Sequence, residues 1–264
     1  MLGAIAGDVI GSVHEGRASP GTDFPLFADH ARFTDDTVLT VAVAEALRSG
    51  SAFREALREW AQRYPDAGYG GWFRHWLDHP TAGPYNSFGN GAAMRVAPVA
   101  WAYDDERSVL EQAERSAAVT HDHPEGIRGA QAVAAAIRLA RLGGGRHRIA
   151  ELLTDRFGYD LSASLSELRQ RGFDVTCQGT VPAAAIAFLN ADDFEGAVRY
   201  AVSIGGDADT LACIAGAMAE AFFGGIPEAI REETRARLDT VLLDEIDIFH
   251  EWVGATTGVQ DLSR

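Results

Sequence analysis

Residues 203–223 read SIGGDADTLACIAGAMAEAFF: a glycine pair and an acidic cluster, followed by an apolar, alanine-rich run. The run predicts a buried helix that begins near Thr210. Asp207 and Asp209 are two residues apart, so their carboxylates can converge on one cation, with the Thr210 hydroxyl as a third hard oxygen. Because Asp and Thr are also common helix N-cap residues, a plain capping role is the alternative.

A second cluster of the same chemistry occurs near the other end of the chain. Thr34-Asp35-Asp36-Thr37 precedes an apolar helical run, 38–47, which Gly50 closes. If the two helix starts meet in the fold, four carboxylates share one site, and two divalent ions would neutralise their mutual repulsion. Carboxylate and hydroxyl oxygens without a set of Cys or His ligands favour Mg²⁺, Mn²⁺ or Ca²⁺ over zinc.

Length and composition favour one large domain. The chain has 264 residues, of which 47% are hydrophobic, so it can bury a substantial core; we expect a single domain over residues 1–264. The formal net charge of −15 argues against binding to nucleic acids or anionic membranes. Two cysteines, and no apolar run of about 18 residues, favour a reducing compartment and no membrane span. We expect a cytoplasmic monomer.

Apolar spacing predicts helices along most of the chain, and no clear β alternation occurs, so the expected fold is all-α. The first helix is rich in small residues, including Gly3, Gly7 and Gly11, which let a neighbouring backbone approach closely; it should be buried. The predicted helices cover residues 2–13, 37–48, 52–63, 92–103, 107–118, 126–142, 147–156, 162–170, 180–189, 193–203, 210–223, 227–235 and 237–252.

The segment between Tyr64 and Asn90 is rich in Gly, Pro and aromatic residues and is predicted to be a loop. Its end, with the residues that follow, reads Ser87-Phe88-Gly89-Asn90-Gly91. Backbone N–H groups bared by glycines at a helix start can bind phosphate, and Phe88 could stack on a flat ring. A simple turn is the alternative, since the Walker pattern with its Lys does not occur here.

A polar turn, Thr120-His121-Asp122-His123-Pro124, precedes the predicted helix at 126–142. His121 is either a surface residue of that turn or a residue that contacts a phosphate or ribose group of a ligand.

Together these motifs resemble the ADP-ribosylglycohydrolase family, in the family's order and over almost the whole chain. The family includes the bacterial glycohydrolase that reactivates dinitrogenase reductase and vertebrate hydrolases of arginine- or serine-linked ADP-ribose. The motifs are Gly3 to Gly11 with Asp8, Glu15, Phe33 to Thr37, Gly89 to Arg95, Thr120 to Pro124, and Gly205 to Thr210.

The resemblance implies a single orthogonal multi-helix bundle and a binuclear Mg²⁺ or Mn²⁺ centre that binds the ribose hydroxyls. The implied metal ligands are Thr34, Asp35, Asp36, Asp207, Asp209 and Thr210. The implied substrate contacts are Gly68, Ser87, Phe88, Gly89, Asn90, Gly91, His121 and Gly206, with Ser87 to Gly91 around the diphosphate, Phe88 against ribose or adenine, and His121 near the phosphates.

The resemblance also implies catalytic residues. Two of them indicate different substrates, serine-linked and arginine-linked ADP-ribose. Glu15 matches a movable glutamate of members that act on serine. Asp66, in Asp66-Ala67-Gly68, matches an acid/base aspartate proposed for the arginine-specific bacterial member. We expect Asp36 or Glu15 to act as the base, with Asp66 assisting.

The resulting prediction is a dimetal hydrolase that cleaves ADP-ribose from a modified acceptor, either a protein or a small molecule that contains ADP-ribose. Arginine-linked ADP-ribose is favoured, because the strings at 89–95 and 120–124 look more like the bacterial arginine enzyme. Serine-linked ADP-ribose and O-acetyl-ADP-ribose are the alternatives. A non-catalytic ADP-ribose-binding protein is a further reading, and a two-metal phosphohydrolase is the least supported.

Overall fold

The computed structural model describes residues 1–257, and this part of the chain is built from helices, with two isolated β-bridges and no β-strand. The prediction of an all-α fold is therefore confirmed. Residues 258–264 of the expected single domain lie outside the described residues. Among the described helices, none is both long and apolar enough to cross a lipid bilayer.

The helices are short and follow one another closely. In chain order they are α1 (Leu2–Gly11), α2 (Asp35–Ser49), α3 (Phe53–Arg63), α4 (Gly71–Asp78), α5 (Gly91–Met94), α6 (Ala97–Ala102), α7 (Glu106–Ala117), α8 (Pro124–Arg141), α9 (Arg146–Glu151), a π-helix (Leu152–Arg156), α10 (Leu165–Leu168), α11 (Cys177–Leu189), α12 (Phe194–Ile204), α13 (Ala208–Phe223), α14 (Glu228–Arg235) and α15 (Thr240–Thr257).

Helix α13 is the centre of the bundle. Every residue from Ala208 to Ala221 is buried, and α1, which is buried along its whole length, crosses it. The sequence explains why α13 takes this place, since a helix that is apolar on all sides must be covered on all sides. The helix ends at Gly224, whose left-handed backbone (φ 77°) suits a residue without a Cβ.

Small residues bring the backbones of α1 and α13 into contact. A Cβ added at Gly7 would lie 2.0 Å from the carbonyl oxygen of Ala212, and one at Gly3 would lie 2.5 Å from that of Gly216. At the end of α1, a Cβ at Gly11 would lie 2.4 Å from Asp209 Cα. The predicted close approach is confirmed, and it fixes the start of α13 against the end of α1.

Three predicted elements differ from the observed ones. The expected helix at 92–103 is interrupted at Arg95 and Val96, where Pro98, at the second position of α6, cannot donate a backbone hydrogen bond to a continuous helix. The expected helix at 147–156 changes to a π-helix at Leu152. The expected loop between Tyr64 and Asn90 contains α4, whose buried Phe73 and Trp76 pack on the core.

Candidate active site

The two acidic clusters meet, although they are far apart in sequence. Thr34 is the N-cap residue of α2, and Asp207 occupies the same position before α13. The Thr210 hydroxyl donates a hydrogen bond of 3.3 Å to Asp36 Oδ1. The two helices therefore bring their N-termini together, and all four carboxylates of the clusters face one cavity.

Helix capping accounts for Thr34 before α2 but not for Asp207 before α13. The Thr34 hydroxyl accepts a hydrogen bond of 3.2 Å from the backbone N–H of Asp36, as an N-cap residue does. The Asp207 side chain makes no capping bond to α13. Its Oδ2 instead accepts a hydrogen bond of 2.5 Å from Asn90 Nδ2. Asp207 is thus held toward the cavity and not toward the helix that it precedes.

Asp8 of α1 organises the start of α2. Its carboxylate accepts hydrogen bonds from the backbone N–H and the hydroxyl of both Thr34 and Thr37, with distances of 2.5–3.1 Å. Asp8 is fully buried. The sequence analysis assigned it no role, yet an aspartate inside an otherwise apolar helix marks a position that needs buried partners.

The four carboxyl groups of the site are buried close together, which disfavours their ionised forms and raises their pKa values. Burial, followed by the charges of neighbouring carboxylates, raises the pKa of Asp36 and of Asp209 well above its ordinary range. For Asp35, burial and then the charge of Asp8 raise the pKa to about 7. Burial raises the pKa of Asp207 to about 6. Closely spaced carboxylates of this kind need protons or cations to neutralise them.

The residues present fit divalent cations. Asp36 Oδ2 and Asp209 Oδ1 are buried and have no hydrogen-bond partner among residues 1–257, and native proteins seldom leave such atoms unsatisfied without an ion or a water. One carboxylate oxygen from each of Glu15, Asp207 and Asp209 lies within 4.8 Å of the others. Oxygen donors alone suit hard cations such as Mg²⁺ or Mn²⁺.

Glu15 reaches this group from the loop after α1. The backbone N–H of Gly16 donates to the carbonyl of Gly206 at 2.7 Å, and the N–H of Gly206 donates back to the carbonyl of Arg17 at 3.2 Å. These bonds hold the turn beside the start of α13. The Glu15 side chain is exposed and also lines the cavity.

The glycine loop, Ser87 to Gly91, also lines the cavity, through all of its residues but Phe88. The Asn90 side chain bonds to Asp207 and to Thr180 Oγ1, so it links this loop to the acidic cluster. The loop also pairs with the segment before α11, where the N–H of Asn90 donates to the carbonyl of Val175 at 2.7 Å. A Cβ added at Gly91 would lie 3.1 Å from His121 Nε2. Glycine therefore lets the imidazole reach the loop.

His121 is a buried residue of the site and not a surface residue of a polar turn. It is 5% exposed and lines the cavity. Burial and then the charge of Arg95 hold the pKa of His121 well below its ordinary range, so the ring is neutral at pH 7. Arg95, which the sequence analysis did not single out, is fully buried behind it.

The cavity has a volume of about 390 Å³, which is within the range of small-molecule sites. Most of the predicted site residues line it; they are Glu15, Asp35, Asp36, Gly68, Ser87, Gly89, Asn90, Gly91, His121, Asp207, Asp209 and Thr210. Lining residues that the sequence analysis did not assign include Trp72, Tyr85, Arg95, Phe173 and Val175.

Four predicted residues do not line the cavity. Thr34 lies buried beneath it, bonded to Asp8, and Gly206 holds the Glu15 turn. Phe88 is 46% exposed and packs edge-on against His123, with ring centroids 5.3 Å apart. Asp66 is exposed, on the loop whose Ala67 carbonyl accepts from the N–H of Asp35. Of the three predicted catalytic residues, Glu15 and Asp36 line the cavity and Asp66 does not.

Known proteins resemble this chain over nearly its whole length. A family model described as ADP-ribosylglycohydrolase matches residues 1–257. This chain belongs to the ADP-ribosylglycohydrolase family. The membership confirms the resemblance stated from the motifs and the expectation that the protein is an ADP-ribosylhydrolase.

Individual relatives of this family member are distant but cover most of it. ADP-ribosylhydrolase ARH3 of Mus musculus is 26% identical, over 92% of this chain and 88% of the relative. ADP-ribosylarginine hydrolase Tri1 of Pseudomonas putida is 26% identical, over 86% of this chain and 71% of the relative. A solved structure titled ADP-ribosylglycohydrolase-related protein complex superimposes with a TM-score of 0.73 at 27% identity, covering 97% of this chain and 95% of that one.

Proposed function

We propose that this hydrolase cleaves the glycosidic bond between the ribose of ADP-ribose and an acceptor, with divalent cations bound by the two acidic clusters. The observation that carries the proposal is the convergence of both clusters, the glycine loop and His121 on one cavity. The proposed metal ligands are the cluster residues that line the cavity, Asp35, Asp36, Asp207, Asp209 and Thr210. Thr34, whose hydroxyl donates to Asp8, would hold the start of α2 in place beside them. When bound, Mg²⁺ or Mn²⁺ would neutralise these carboxylates, polarise ribose hydroxyls and lower the pKa of a water molecule.

The glycine loop and His121 are the proposed binding site for the diphosphate. Ser87 to Gly91 supply a glycine-rich backbone for the diphosphate, and the neutral ring of His121 lies against the same loop. The Asn90 side chain donates to Asp207, so it links the glycine loop to the acidic cluster. In this proposal the ribose binds at the acidic cluster and the diphosphate at the neighbouring glycine loop, which fits the short covalent distance between the two groups in ADP-ribose.

Glu15 is the better candidate for the catalytic base of the two that the sequence offered. Its carboxylate is exposed at the cavity and lies near Asp207 and Asp209. It can take a proton from water that enters from solvent and return it to the departing acceptor. Asp36 is 2% exposed and accepts the Thr210 hydrogen bond, so it is better suited to hold a cation than to exchange protons with solvent.

For the acceptor, the same geometry favours serine-linked ADP-ribose. Arginine was expected first because of the strings at 89–95 and 120–124, whereas the resemblance linked Asp66 to the arginine-specific member and Glu15 to members that act on serine. Glu15 is at the acidic cluster, whereas Asp66 is exposed and outside the cavity. The arginine linkage remains the second candidate, because a relative named ADP-ribosylarginine hydrolase matches most of this chain.

The test is release of ADP-ribose from serine-linked and arginine-linked peptides and from O-acetyl-ADP-ribose, with Mg²⁺ or Mn²⁺ and with EDTA. We expect metal-dependent release, fastest from the serine-linked peptide. The Glu15→Gln variant should lose most of this activity, and Glu59→Gln, at an exposed position on α3, should retain it. The Asp66→Asn variant should act like wild type.

Other outcomes separate the alternatives. Faster release from the arginine-linked peptide, together with loss of activity in Asp66→Asn, would contradict the serine assignment. Binding of ADP-ribose without release from any substrate would contradict catalysis and support a non-catalytic binding protein. A cytoplasmic location and a monomeric state stay predictions.

A further inference from the structure

Three buried polar side chains form a line of hydrogen bonds behind the glycine loop. Arg95 Nη2 donates to Thr120 Oγ1 at 2.9 Å, and Thr120 Oγ1 lies 2.7 Å from His121 Nδ1. Arg95 and Thr120 are 0% exposed and His121 is 5% exposed. Solvent therefore does not compete for the bonds between them.

The direction of these bonds follows from the protons that each group carries. A guanidinium donates and never accepts, so Thr120 Oγ1 is the acceptor of the bond from Arg95. The hydroxyl has one proton of its own, and the adjacent ring nitrogen of His121 can accept it. Because a cationic donor polarises the hydroxyl, the bond that the hydroxyl donates onward is strengthened. If Nδ1 accepts this proton, the ring proton resides on Nε2.

The Nε2 atom faces the glycine loop. A Cβ added at Gly91 would lie 3.1 Å from it, and one at Gly89 would lie 3.7 Å from it. Both glycines line the cavity, as does His121. A proton on Nε2 therefore points at the surface on which an anionic group would rest, whereas a bare Nε2 lone pair would repel that group.

His121 stays neutral first because it is buried, and the buried cation of Arg95 adds to this effect. Arg95 Nε and Nη1 have no hydrogen-bond partner within residues 1–257. This unpaired charge opposes protonation of the imidazole next to it and attracts an anion in the cavity. The ring can then donate a hydrogen bond without itself carrying a charge.

We propose that Arg95 and Thr120 are positioning residues that hold His121 as the neutral Nε2–H tautomer, ready to donate to a phosphate oxygen of ADP-ribose. The inference rests on the proposed function in one respect, since it takes ADP-ribose as the ligand. Thr120 does not line the cavity, and Arg95, which does, donates to Thr120 through Nη2. Each acts through His121.

The direct test is ¹⁵N NMR of the ligand-free wild-type protein labelled at histidine, with the His121→Asn variant used to assign the signals. At neutral pH we expect a pyridine-like Nδ1 and a pyrrole-like Nε2 for His121. A proton on Nδ1 would overturn the proposal, because the Thr120 proton would then go elsewhere, for example to the neighbouring Tyr85 hydroxyl. A doubly protonated ring would overturn it as well.

The functional test compares Thr120→Val with Thr120→Ser. Valine keeps the shape and removes the hydroxyl; we expect ADP-ribose to bind about tenfold more weakly by calorimetry, with a mixed tautomer signal. Serine restores the hydroxyl and should restore both readouts. The control is Thr234→Val, at a buried threonine on α14 whose hydroxyl has no partner within the described residues. It should bind like wild type.

Wild-type affinity in Thr120→Val, with an unchanged tautomer, would overturn the proposal. Neither readout requires turnover, so this inference and the proposed hydrolysis fail separately. A protein that binds ADP-ribose with the expected tautomer but releases none would contradict the hydrolysis alone. Absence of ADP-ribose binding in the wild type would contradict both.

Discussion

The Thr210 hydroxyl donates a hydrogen bond to Asp36 Oδ1 at 3.3 Å, across a sequence separation of 174 residues. The bond joins the start of α13 to the start of α2, and α1 supports both. Gly11 at the end of α1 packs against the backbone of Asp209, and Asp8 on the same helix accepts hydrogen bonds from Thr34 and Thr37. One small, glycine-rich helix thus aligns two helix N-termini into one acidic site.

The stability of the metal-free protein should fall as the pH rises through the weakly acidic range. The folded pKa values of Asp8 and Asp207 are about 6 and that of Asp35 is about 7, against an ordinary value of 3.8. An acid whose pKa is raised by folding binds more protons in the folded state, so its contribution is present at low pH and is lost as these groups ionise.

The measurement is thermal unfolding in EDTA at about pH 5 and about pH 7.5. We expect a higher melting temperature at the lower pH. Saturating Mg²⁺ should remove or reverse this difference, because cations need the ionised carboxylates. A metal-free protein that is more stable at the higher pH would show that the four carboxylates do not share the environment described above.

Substitution of Asp8 should weaken the start of α2. Asp8→Asn replaces one carboxylate oxygen by an NH2 group, which donates and cannot accept, so the bonds to Oδ1 and those to Oδ2 from Thr34 and Thr37 can no longer all form. With saturating Mg²⁺ present, we expect the free energy of unfolding to fall by about 2 kcal/mol. Chemical denaturation measures the change.

The matched control for Asp8 is Asp193→Asn. Asp193 is the N-cap residue of α12 and accepts a hydrogen bond from the N–H of Gly196 at 2.7 Å. Asparagine caps helices about as well as aspartate, so this variant should be as stable as wild type within about 0.5 kcal/mol. Equal stabilities for the Asp8 and Asp193 variants would contradict the role given to Asp8.

The crossing of α1 and α13 should not tolerate even one added methyl group. In Gly7→Ala the new Cβ would meet the backbone carbonyl of Ala212 at 2.0 Å. Neither backbone can move without displacing Asp8 or Asp209, so we expect a loss of about 3 kcal/mol or more in the free energy of unfolding. Gly83→Ala, at an exposed glycine with no atom within 4 Å of the added Cβ, should change it by less than about 1 kcal/mol. A stable Gly7→Ala protein would mean that the helices are farther apart.

Much of the fold follows from local sequence patterns. The burial of α1 could be predicted because its glycines lie on one face, and that of α13 because it is apolar on every side. Helix α4 could not, because the surrounding Gly, Pro and aromatic residues look like a loop. Its stability comes from tertiary contacts, in which Phe73 and Trp76 enter the core and Arg58 lies 3.8 Å from the Trp76 ring centroid.

The site was predictable where chemistry is concentrated in short strings. Each Asp-Thr cluster alone is also typical of a helix N-cap, and it was the occurrence of two such clusters that indicated a shared site. Single residues that act through a distant partner were harder to find. Asp8 and Arg95 each depend on buried partners from another element, and Asp66 lies next to a motif while its side chain is exposed outside the cavity.

The proposed hydrolysis depends on the two clusters forming one divalent-cation site. The most direct measurement is calorimetric titration of Mg²⁺ and Mn²⁺ into EDTA-treated, dialysed protein, for wild type, Asp209→Asn and Asp192→Asn. We predict two bound ions for wild type and for Asp192→Asn, whose substituted residue is exposed outside the cavity. Asp209→Asn should lose cation binding and ADP-ribosyl hydrolysis while it still unfolds cooperatively. Unchanged cation binding or retained turnover in Asp209→Asn would contradict the claim.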